Sequence, residues 1–163
     1  VTDSLSVLGQ SKRFTKVLAT TATDILLAGD YTKSYVYLHN KATAATDTVT
    51  IGKKSTVGGA SYNDDPTIDL DSTANISFGM TVSGTGVSGT VASITDTNTF
   101  ELSEATTTGS KSGQTLTFTM EDFMILGAGE FAFFPWDSTQ DLEATAGANT
   151  PTLEIMIFQA AAD

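Results

Sequence analysis

Four groups of residues have the types and spacing to do chemistry. Gly84-Thr85-Gly86-Val87-Ser88-Gly89 spells G-x-G-x-x-G, the pattern that lets a backbone approach a pyrophosphate at a helix N-terminus. Asn63-Asp64-Asp65-Pro66, followed by Asp69 and Asp71, is the densest acidic stretch and offers the oxygen ligands that calcium prefers. His39 is the only histidine, and so the one imidazole base available to a Ser-His-Asp site. Glu101, Glu104, Glu130, Glu143 and Glu154 could supply the two carboxylates that flank the groove of a glycosidase, with Trp136 and the tyrosines stacked on a sugar.

Each chemistry makes demands on its surroundings. A dinucleotide turn needs a helix behind its last glycine. Here "TVASITDTNTFELS" follows, alternating and β-branched, which predicts strand, turn, strand, so the glycines are expected to turn a hairpin. The acidic stretch lacks the glycine and glutamate of a helical calcium loop, and Asx capping before Pro66 accounts for it; whether Asp64, Asp65, Asp69 or Asp71 binds calcium stays open. His39 sits within the alternation "SYVYLHN" beside Tyr35 and Tyr37, with no serine in a nucleophile-elbow context. The glutamates are scattered through an acidic chain. Trp136 directly follows "EFAFFP", the setting of an apolar anchor. Asn75-Ile76-Ser77 matches a glycosylation sequon, which carries meaning only in a secreted chain. The expectation is a protein without catalytic residues, cofactor or metal.

Composition narrows the partners. With 8 Lys and Arg against 19 Asp and Glu, the 163-residue chain carries a formal charge of −11, which repels phosphate backbones and argues against nucleic acid. No apolar run approaches the roughly 18 residues of a membrane helix, and the opening "VTDSLSVLGQSKRFTK" lacks the apolar centre of a secretory signal. There is no cysteine, so disulfides, thiolate catalysis and zinc-thiolate sites are excluded.

The elements that must position these residues read as strands throughout. Strong helix formers such as Leu, Lys and Glu never line up at three-four spacing over a dozen residues, whereas Thr, Val and short alternating runs abound. Residues 1–16 read as a loose arm carrying Lys12, Arg13 and Lys16. "SYVYLHN" sets Tyr35, Tyr37 and His39 on one face and Val36, Leu38 and Asn40 on the other. Near the end, Leu153, Ile155 and Ile157 face one side, Met156 and Phe158 the other, so that strand is expected at a sheet centre or in an interface. Between residues 54 and 120 the strands turn polar, short and rich in Gly and Thr. The predicted fold is all-β: an antiparallel β-sandwich or jelly-roll-like domain from residues 1–53 and 121–163, with a small antiparallel β-module inserted as residues 54–120. The insertion holds two lysines against seven acids, net −5.

That insertion resembles a β-module recurring in structural proteins of tailed bacteriophages. The shared pieces are the "GMTVSGTG" opening at Gly79–Gly86, the "GTVASI" strand at Gly89–Ile94, the "LSEAT" strand end at Leu102–Thr106 and the closing "LTF" at Leu116–Phe118. The flanks, "YVYLHNKATAATDTVTIG", "LGAGEFAFFPW" and "LEATAGANTPTLEIMIF", resemble small phage β-sandwich proteins more loosely. The resemblance implies a virion structural protein made in a bacterial host and carried on the capsid surface. Its expected role is capsid decoration (cement), binding the major capsid protein or other virion subunits and forming a closed homo-oligomer such as a trimer. A receptor- or glycan-binding module of a head or tail fibre is the alternative. Lys12, Arg13, Lys16, Phe131, Phe133, Phe134 and Trp136 are the interface candidates, the four aromatic residues being expected as core or interface anchors.

Overall fold

The computed structural model describes residues 11–31 and 33–159. It contains twelve strands: β1 (Ser11–Val17), β2 (Thr23–Leu26), β3 (Ser34–Asn40), β4 (Val49–Tyr62), β5 (Thr67–Asp69), β6 (Thr81–Gly84), β7 (Val87–Ile94), β8 (Thr99–Leu102), β9 (Lys111–Leu126), β10 (Phe131–Trp136), β11 (Asp141–Ala146) and β12 (Thr152–Gln159). They fall into two compact units, Val1–Gly52 with Glu121–Asp163, and Lys53–Met120. The long strands β4 and β9 run through both.

In the first unit one sheet has the order β1-β12-β3-β10, and the other runs β2-β11-β4, with β4 also pairing β9. Counting only this unit's eight strands along the chain, the first pairs the last, the second the seventh, the third the sixth and the fourth the fifth. That is one long antiparallel hairpin wrapped into two sheets, the organisation of a jelly roll. The sequence folds this way because its strands alternate. On β3, Val36 and Leu38 are fully buried while Tyr35, Tyr37 and His39 face outward. Leu153, Ile155 and Ile157 of β12, Leu142 and Ala144 of β11, and Val49 and Ile51 of β4 complete a core between the two sheets. Packing of this kind contributes about 1.5–3 kcal/mol for each fully buried aliphatic side chain.

The arm expected over residues 1–16 is a strand in its described part. Residues 11–17 form β1 at the edge of the four-stranded sheet, paired in register from Ser11 opposite Phe158 to Val17 opposite Thr152. Residues 1–10 lie outside the described residues. The reason for β1 is its alternation: Phe14 packs on the core, Lys12 lays its ammonium 5.8 Å from the Phe14 ring and 5.7 Å from that of Tyr31, and Arg13 points to the other face.

In the second unit the order β4-β5-β8-β7-β6-β9 closes through the β4–β9 pairing into a six-stranded barrel, which leaves none of the six with an open edge. Its interior holds Ile68, Met80, Val82, Leu116 and the edge-to-face pair Phe100–Phe118, with centroids 5.4 Å apart at 71°. Tyr62 donates its hydroxyl to the Thr85 carbonyl at 2.7 Å, and burial pushes that phenol's pKa up.

Candidate functional site

The glycine motif lies where β6 turns into β7. Gly84 pairs Val87, so Thr85 and Gly86 alone make the two-residue loop. Gly86 has φ +65°, and a Cβ there would come within 1.9 Å of the Thr108 methyl group. β7 continues through Gly89 to Ile94, so the segment behind the motif is a strand. The chemistry of the motif is backbone chemistry of a tight turn, and the phosphate-binding geometry is not formed.

The acidic stretch is hydrogen-bonded piecemeal. Asp65 accepts from the Thr67 amide at 3.0 Å, Asp64 from the Gly109 amide at 2.6 Å, and Asp69 from the Thr99 hydroxyl at 2.9 Å. Asp65, Asp69 and Lys111 line an open cavity of about 380 Å³. Among the described residues no three His, Asp or Glu side chains gather as a metal site would require.

What the fold does assemble is the outward face of the β1-β12-β3-β10 sheet. The registers align three rows across its four strands. Ser11, Phe158, Tyr35 and Pro135 form the first, Arg13, Met156, Tyr37 and Phe133 the second, and Thr15, Glu154, His39 and Phe131 the third. The aromatic rings interlock diagonally, as cross-strand neighbours in a sheet do. Tyr35 stacks on Phe133 at 5.5 Å and 15°, Tyr37 on Phe131 at 5.6 Å and 30°, and Phe133 meets Phe158 edge-on at 6.1 Å. Even so, Phe131 is 64% exposed and Phe133 49%.

One compensated ionic group sits within this face. Arg13 donates from its guanidinium to Glu154, whose other oxygen lies 3.3 Å from His39 Nδ1. Glu154 itself is only 5% exposed. The Arg13 hydrogen bond, then that from His39 and the positive fields of Arg13 and Lys41, hold its carboxyl below the usual range against the opposing effect of desolvation. A carboxylate on an imidazole is the orienting half of a catalytic triad, but here the carboxylate is held by a guanidinium and the ring is flanked by Tyr37 at 6.2 Å.

The seven interface candidates therefore separate. Phe131, Phe133 and Arg13 lie on this face. Trp136 is turned inward, 5% exposed, and donates its indole N–H to the Gln140 carbonyl at 3.0 Å. Phe134 packs on the core, edge-on to Phe123 at 5.7 Å. These two are core residues, because β10 alternates and they occupy its inner positions. Lys16 donates to the Asp24 carbonyl, so it too serves the fold, as Lys12 does. Tyr35, Tyr37 and Glu154 join the site unforeseen, and Met156 and Phe158 join it from the strand expected at a sheet centre or in an interface. The signal for the apolar four was present in the apolar character of both faces of "SYVYLHN" and "TLEIMIFQ"; nothing in the sequence marked Glu154, which the pairing with β1 and β3 brings to Arg13 and His39. Comparison with protein families, with curated proteins and with solved structures finds no match.

Proposed function

We propose that the chain is a virion structural protein: a capsid decoration protein that binds the outer surface of a shell of major capsid protein and stabilises it. The observation that carries this reading is the exposed aromatic face of the β1-β12-β3-β10 sheet, with Phe131 and Phe133 stacked on tyrosines and open to solvent. Contiguous aromatic surface framed by polar residues is what protein–protein contacts use. The jelly roll serves viral shell subunits and lectins alike, so the fold supports assembly without fixing the partner. The phage-like pieces of the 53–120 unit point to the virion. Many modest contacts, repeated over a particle, strengthen a shell without any single tight one.

The test is direct. Undecorated capsids mixed with the purified chain are expected to take it up in a fixed ratio and to withstand heating better. Absence of binding, together with binding to bacterial surface polysaccharide, would move the assignment to a fibre module.

A further inference from the structure

We infer that the aromatic face of the β1-β12-β3-β10 sheet is a contact between two copies of this chain, packed face to face about a two-fold axis parallel to the strands. This rests on that face being a protein-binding surface; a second copy and a shell would compete for it, so the dimer is the form of the chain free of any shell.

The argument is one of self-complementarity. Turning the sheet over about an axis along its strands places β1 of one copy over β10 of the other and β12 over β3, row upon row. Arg13, whose side chain is 63% exposed at one margin, then falls opposite Phe133 at the other, a cation over an open ring. Met156 falls opposite Tyr37, a thioether on an aromatic, and Phe158 opposite Tyr35. Glu154 falls opposite His39 of the second copy, as it neighbours His39 in its own. An axis across the strands would instead set Arg13 on Arg13, which like charge disfavours.

Charge confines any contact between copies to this face. The chain is at −11, so most of its surface repels its own kind. The only charged residues in the three rows are Arg13 and Glu154, and they neutralise each other. Area sets the strength. Four strands at about 4.8 Å and seven residues at about 3.4 Å give a footprint of roughly 19 by 23 Å. That is roughly 440 Å² per copy before side-chain relief is counted, against about 800 Å² in a standard interface. The dimer is accordingly expected to be weak and reversible, in the micromolar range.

The absence of cysteine provides the experiment. Within one copy, positions 13 and 133 are three strand spacings apart, about 14 Å, too far for a disulfide. Arg13→Cys and Phe133→Cys chains, mixed and oxidised at concentrations of about 100 µM, are expected to cross-link to each other and neither to itself. Sedimentation of the unmodified chain is expected to show a monomer–dimer equilibrium, and Phe133→Asp, at an exposed position, to weaken it at least about tenfold with an unchanged circular dichroism spectrum. A strictly monomeric unmodified chain, an unaffected Phe133→Asp dimer, or cross-linking of like with like would each overturn the arrangement. No shell is present in these measurements, so their failure leaves the decoration reading standing, and failure to bind capsids leaves the dimer standing.

Discussion

At the residue scale the most constrained side chain is Glu154. It is buried on a solvent-facing row of a sheet because Arg13 covers it and His39 closes its other side. A carboxylate removed from water without partners would be neutralised; here the guanidinium keeps it ionised, which is why its pKa is held down. The sign of the consequence follows from linkage. A carboxyl whose pKa is lower in the folded than in the unfolded chain contributes stability that is complete above the ordinary glutamate value of 4.5. That contribution is lost as pH falls through the depressed folded value. Thermal melting of the unmodified chain and of Glu154→Gln, compared between about pH 6 and about pH 3, is expected to show the unmodified chain ahead at the higher pH and the gap closing on acidification. A gap that stays constant with pH would mean that Arg13 and Glu154 matter here only through packing.

At the element scale the β6–β7 hairpin shows how a motif is decided by its neighbours. Two residues must reverse the chain between Gly84 and Val87, and Gly86 does so at φ +65° against the Thr108 methyl. An alanine there meets both the left-handed backbone penalty, about 1–2 kcal/mol, and a steric collision. Gly86→Ala is therefore expected to lower the melting temperature by several degrees, whereas a phosphate-binding role would leave melting nearly unchanged. The same hairpin shows what was legible in the sequence. Alternation named the strands and the inward sets Val36–Leu38 and Leu153–Ile155–Ile157, because a half-buried strand repeats every two residues. It also excluded a helix behind Gly89. Partnership was not legible. Residues 11–16 look like a solvated arm because Lys12, Arg13 and Lys16 dominate them, yet β1 is bound by a ladder to β12, at the other end of the chain. Trp136 and Phe134 were indistinguishable from Phe131 and Phe133 without knowing which side of β10 met the core. The aromatic face needs four strands, drawn from both ends of the sequence, to become visible at all.

At the scale of the whole molecule two facts oppose each other. The chain repels copies of itself through a charge of −11, and its outward β1-β12-β3-β10 face offers an aromatic patch, its one ion pair internally compensated, where copies can meet. Which of the two limits association is decided by ionic strength. Repulsion between acids scattered over a surface acts over the Debye length, about 30 Å at 0.01 M salt but only about 8 Å at 0.15 M. Aromatic burial, in contrast, is little weakened by salt and is strengthened by excluded anions such as sulfate. Association measured by sedimentation is therefore expected to tighten several-fold between about 20 mM and about 300 mM sodium chloride, and further in sulfate. The opposite slope would say that ion pairs across the contact, Arg13 of one copy on acids of the other, carry the affinity.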